Sequence, residues 1–168
     1  MGRWRGRRLA GLAVITLLAA STGITVGLSG DGGGWWVVVR DDAGDELART
    51  PLPSSRELGL RYRNSLYGSV AEEHFVVRDG GLSLVALEAD ELAVLEEYYA
   101  AFGATPGAND GLRWRIGIER PPVELPLRIQ ATPLGERTLL TATSEIPLWR
   151  LVADRDSTRV VLSVERSP

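Results

Sequence analysis

Residues 9–28, LAGLAVITLLAASTGITVGL, run for 20 positions without a charge. A helix rises about 1.5 Å per residue, so this length crosses a hydrocarbon core of roughly 30 Å. Arg3, Arg5, Arg7 and Arg8 precede it, and the first acidic residue is Asp31. Because arginines stay preferentially on the cytoplasmic face, the pattern predicts a cytoplasmic tail at residues 1–8, a transmembrane anchor at 9–28, a Gly-rich linker at 29–34 and a domain outside the cytoplasm at 35–168. The competing expectation is a signal cleaved near Ala19, Ala20 and Ser21, which would release the domain. Signal cores are usually about 7 to 15 residues long, whereas Ile24, Val26 and Leu28 prolong this one. An uncleaved anchor is therefore favoured.

Past residue 30 the chain carries 15 Arg and 22 acidic residues, a net charge of −7. Phosphate contacts need clustered cations, so no nucleic-acid partner is expected. The absence of Cys and the single His, His74, exclude disulfide scaffolds, thiolate sites and the paired His ligands of catalytic zinc. No cofactor or metal site is expected.

The exported part consists of short β-branched and aromatic runs separated by Gly, Pro and Asp turns, the pattern of a mostly β fold. Strands are predicted at residues 35–40, 46–52, 57–64, 70–78, 112–119, 125–131, 137–143 and 158–165, with another at LSLVALE. Gly44 supplies a positive φ in the DDAGD hairpin. Leu92, Leu95, Tyr99 and Phe102 recur at helical spacing and predict one helix over residues 89–102; IPLWRLV, residues 146–152, reads as a short helical turn begun by Pro147. The fold expected is a β-sandwich or partly open barrel of about eight to nine short antiparallel strands with one helix, behind the membrane helix.

Side chains of a strand alternate faces, and in the hairpin ELGLRYRN/VAEEHFVVR this allows a register to be written. Leu60 opposite Phe75, Leu58 opposite Val77 and Tyr62 opposite Glu73 share the inner face, while Arg63 opposite Glu72 and Arg61 opposite His74 share the outer one. Glu73 then points inward, near Tyr62 and Asn64, and needs hydrogen bonds there. Trp35, Trp36, Trp114 and Trp149 read as core indoles, with membrane contact the alternative for Trp35 and Trp36.

His74 is the one available imidazole base, but no Gly-x-Ser-x-Gly elbow exists, and an outward strand position makes it a surface residue. DDAGDE lacks the twelve-residue calcium loop and reads as a solvated hairpin tip. The polar group Arg61, Tyr62, Arg63, Asn64, Ser65, Tyr67, Glu72 and Glu73 exceeds what a hairpin needs, and all of it but Tyr67 is the candidate ligand or interaction site; such clusters form either a structural network or a pocket.

RYRNSLYGSVAEEHFVV, GGLSLVALE, EEYYAAFGATPG, LPLRI, RTLL and IPLWRLV together resemble the bacterial and archaeal family called domain of unknown function 1850, over residues 35–164. The chain departs from it at Asn64, where a His is common, and in the turn at Phe102 and Gly103, which the resemblance adds to the candidate site. The resemblance implies a small envelope protein with a membrane-spanning or signal-like leader, encoded beside TAXI-type tripartite ATP-independent periplasmic (TRAP) transporters. The function expected is a non-enzymatic, membrane-anchored accessory domain whose partners are the transporter permease or substrate-binding protein. The alternative is a stand-alone domain binding a small solute at Tyr62, Asn64 and Glu73. A hydrolase using His74 ranks third.

Overall fold

The structure is a computed structural model that describes residues 34–108 and 111–166. The expected tail, anchor and linker, as far as Gly33, lie outside the described residues. Among the described residues no helix is long and apolar enough to cross a membrane.

The described part is mostly β, built from two antiparallel sheets and two short helices. The smaller sheet has the order β2 (Glu46–Leu52), β1 (Trp35–Arg40), β12 (Arg159–Arg166), β9 (Leu127–Gln130). The larger runs β11 (Ser144–Pro147), β10 (Thr138–Thr141), β3 (Glu57–Arg63), β4 (Val70–Arg78), β5 (Gly81–Ala89), β7 (Trp114–Gly117), β6 (Thr105–Pro106), and β8 (Val123–Glu124) pairs with the start of β5.

Alternation supplies the core. Leu58, Leu60 and Tyr62 of β3, Phe75 and Val77 of β4, and Leu139 of β10 are buried together with Val37 and Val39 of β1 and Val160 and Leu162 of β12, so both sheets feed one apolar cluster. Each such Leu or Val contributes roughly 1.5 to 3 kcal/mol on burial. Val38 is also fully buried although it points to the other face of β1. Near it run the ion pairs Arg40–Glu165 at 2.7 Å and Arg49–Glu46 at 2.8 Å, with Arg49 also 3.3 Å from Glu165. Hydrogen bonds from Arg49 and Arg40 hold the Glu46 and Glu165 carboxyls below their ordinary range.

The structure has more strands than expected because several loops pair briefly, as β6 and β8 do, and because residues 144–147, which include the start of the expected helical turn, form a strand that returns along β10. Only Leu148–Leu151 (α2) of that stretch is helical. The helix expected over residues 89–102 is also shorter. Ala89 ends β5, and the helix is a wide-turned segment, Val94–Tyr98 (α1). Ala100 then takes φ 52°, a conformation that stops a helix in an L residue. Phe102 is left 72% exposed.

Tryptophans 35, 36, 114 and 149 are half-buried, and of these Trp35 and Trp114 pack against the core. Trp35 packs between the guanidiniums of Arg56 and Arg166, at 5.1 and 4.8 Å from its ring centre.

Candidate functional site

The β3–β4 hairpin sets the register as Leu58↔Phe75, Leu60↔Glu73, Arg61↔Glu72 and Tyr62↔Ala71, with Gly59 opposite His74. This differs by two residues from the sequence expectation. An even slip preserves every side chain's face, so Glu73 still points inward. The expected Arg63–Glu72 and Arg61–His74 pairings are replaced. Arg61 Nε donates to Glu72 Oε2 at 3.1 Å, while Arg63 Nε lies 3.4 Å from Glu136 Oε2 and its Nη1 donates to the Gly68 carbonyl at 3.0 Å.

On the inner face Glu73 is satisfied by a residue 26 positions away. The Tyr99 hydroxyl donates to Glu73 Oε1 at 2.7 Å and lies 2.6 Å from the Tyr62 hydroxyl. Each hydroxyl has one proton; Tyr99 spends its own on Glu73, so Tyr62 donates to Tyr99. Burial pushes Tyr62 up to about 12 and raises Tyr99 further, with the charge on Glu73 adding to both. Both rings are therefore neutral donors over the physiological range. Asn64 is not part of this chain of hydroxyls. It is buried at the hairpin turn, where its Oδ1 accepts the Leu66 and Tyr67 amides at 2.9 and 3.2 Å. Tyr67 in turn donates to Glu97 of the helix segment at 2.6 Å.

Above this turn lies a cleft of about 280 Å³ lined by Tyr62, Arg63, Asn64 and Ser65 from the hairpin, Tyr98 from α1, and Gln130, Thr132, Leu134 and Arg137 from the far side. Leu66, Tyr98 and Leu134 on its walls are 75%, 59% and 68% exposed. Three of the five exposed large apolar side chains among the described residues therefore meet at one opening. The sequence singles out the hairpin side of this cleft. It misses Tyr98, Leu134 and Arg137, which the chain brings in from distant segments.

The outer face holds a second arrangement. Strand pairing aligns Arg61, Glu72, Glu88 and Arg115 across β3, β4, β5 and β7, and the next row aligns Gly59, His74, Ala86 and Gly117. Glu72 and Glu88 are only 13% and 12% exposed, each beside an arginine. A side chain at Gly59 would meet Glu72 Oε1 at 3.3 Å, so the glycine keeps the row open. His74, expected at the surface opposite Arg61, instead lies half-buried between the two acids, its Nε2 3.2 Å from Glu88 Oε1 and 3.6 Å from Glu72 Oε1 without the alignment of a hydrogen bond. It borders a cleft of about 310 Å³ that also contains Ser55. Among the described residues neither Ser55 nor any other serine hydrogen-bonds to the imidazole.

Two other expectations change. Phe102 and Gly103 sit in an exposed turn, Gly103 with φ 88°, and do not reach the hairpin cleft. Asp41, read as part of a solvated tip, is 8% exposed; its Oδ1 accepts the Ala43 and Asp45 amides at 3.0 and 2.9 Å and its Oδ2 bonds Arg155. Its short carboxylate organises the turn around Gly44, whose φ of 95° is as expected. Among the described residues no group of three His, Asp or Glu side chains is placed to hold a metal ion.

Comparison with protein-family models, with curated proteins and with solved structures finds no match to this chain.

Proposed function

We propose that the chain is a non-enzymatic, membrane-anchored binding module of the cell envelope, with the cleft beside Tyr62 and Asn64 as its working site. The observation that carries this reading is the convergence of Leu66, Tyr98 and Leu134 on that opening, since clustered exposed apolar side chains mark binding surfaces. Two antiparallel sheets over one core support a sandwich scaffold, in which loops at one end present the site. Glu73 contributes indirectly, by fixing Tyr99 and through it Tyr62.

The place of action rests on the leader and on the resemblance in the hairpin and its neighbours. It is the outer face of the cytoplasmic membrane, beside a TAXI-type TRAP transporter. A photocrosslinking side chain at Leu134 of the full chain, expressed with the permease and the substrate-binding protein, is expected to capture one of them, and Leu66→Ser is expected to reduce capture. A reporter fused after Pro168 is expected to be active outside the cytoplasm. Cytoplasmic activity would overturn the topology. Solute uptake unchanged by Leu66→Ser and Leu134→Ser, with no capture of either transporter protein, would overturn the association.

A further inference from the structure

We infer that the cleft takes a small amphipathic anion, an acidic headgroup on a short apolar body, with Arg137 as its charge partner. This rests on the cleft being a binding site, as proposed above. Most polar groups around the opening are already used. Asn64 Oδ1 is held by two turn amides, Gln130 Nε2 donates to Thr158 Oγ1 at 2.6 Å, Thr132 Oγ1 accepts the Gly135 amide at 3.3 Å, and the Tyr62 proton goes to Tyr99. Arg63 is engaged by Glu136 and the Gly68 carbonyl.

Arg137 is different. Its guanidinium lies 5.1 Å from the centre of the Tyr62 ring, and among the described residues it has no carboxylate within ion-pair distance and makes no side-chain hydrogen bond. A guanidinium resting on an aromatic ring keeps its in-plane N–H groups free, and that fork matches a carboxylate or a similar acid. No acidic residue lines the cleft, although the exported part carries a net charge of −7. A random cleft on so acidic a domain would carry carboxylates. Leu66, Tyr98 and Leu134 supply apolar walls for the rest of the ligand. A volume of about 280 Å³ falls just short of the span of ligand pockets, roughly 300 to 1,000 Å³. It suits a free small molecule rather than a lipid chain.

The test uses the full chain in nanodiscs of neutral lipid, titrated calorimetrically with phenylacetate and with its uncharged isostere phenylacetamide. Phenylacetate is expected to bind at one site, and the amide about tenfold more weakly or worse, as the loss of a charge-assisted pair implies. Arg137→Gln is expected to remove the difference between the two, Leu134→Ser to weaken both, and Arg78→Gln, outside the cleft, to change neither. Should Arg137→Gln fold poorly, Arg137→Lys keeps the charge and is expected to retain the preference for the acid. Equal binding of acid and amide, unaffected by Arg137→Gln, would overturn the anion and leave the binding site standing. No binding of either probe up to about 10 mM, the weak edge of specific affinity, would overturn both. Binding that appears only when the nanodisc contains anionic phosphatidylglycerol would replace the small molecule by a membrane lipid and overturn the inference.

Discussion

Glu72 and Glu73 are neighbours in sequence, and the sheet turns them to opposite faces with opposite solutions for their charge. Glu72 faces outward and joins a row in which each acid has its own arginine, Arg61 for Glu72 and Arg115 for Glu88. Glu73 faces inward and is met by the hydroxyl chain of Tyr99 and Tyr62. The arginines of these pairs are 40% and 50% exposed, so water screens the attraction and the long side chain loses freedom, which leaves little net gain. A hydroxyl that is the sole donor to an inward carboxylate gains more, since its removal leaves a polar group stranded. The inner face is thus the costlier one to disturb, although it carries less charge.

The largest effect is expected from removing the middle of the inner chain. Tyr99→Phe takes the donor from Glu73 and the acceptor from Tyr62 together, and should cost about 2 to 3 kcal/mol in urea unfolding. A loss under about 0.5 kcal/mol would place Glu73 in solvent and erase the contrast between the faces.

Alkaline pH provides a second break of comparable direction. Tyr62 titrates near 12 in the folded chain and near 10 when unfolded. Its contribution is fully present below pH 10 and is lost as the pH rises from 10 to 12, because only the unfolded chain releases the proton in that interval. The expected loss is about 2 kcal/mol, and Tyr99, raised in the same direction, steepens it. Unfolding free energies from denaturation curves at pH 9 and pH 11.5 should fall less between the two pH values for Tyr62→Phe than for wild type.

The smallest effect sharpens the outer side. A double-mutant cycle with Arg61→Ala and Glu72→Gln should give a coupling of a few tenths of a kcal/mol that shrinks in 0.5 M salt. A coupling above about 1.5 kcal/mol would make the outer row as consequential as the inner chain.

The faces of the hairpin are legible in the sequence, but the partners are not. Alternation places Glu73 inward beside Leu60 and Phe75 even with a register two residues out, because parity survives an even slip. The true register follows from the hydrogen-bonded turn from Asn64 to Ser69, which periodicity does not encode. Tyr99 is visible in the sequence only as a helical core position, and its role as donor to Glu73 is a contact across 26 residues. For His74 alternation finds the face and misses the surroundings, since Glu88 enters from the next strand. The cleft is half legible for the same reason: Asn64 and Ser65 are local, whereas Leu134 and Arg137 arrive from far along the chain. Helical spacing through Phe102 overstates the helix because a pattern of apolar residues cannot report that Ala100 turns to a positive φ.

The pairing of β1 with β12 has a kinetic consequence. Arg40 and Glu165, which meet across these strands, are separated by 125 residues, whereas β1 and β2 are joined by a short turn. At a synthesis rate of about 5 to 20 residues per second, the second edge of β1 stays open for roughly 6 to 25 seconds after it is made. During that interval the Trp35–Arg40 strand has its hairpin partner on one side only and exposes a row of backbone donors and acceptors beside three valines. Its early hairpin with β2, pinned by Asp41, is the local structure that can form before the last strand arrives, and the other edge is the segment most open to pairing with a wrong chain.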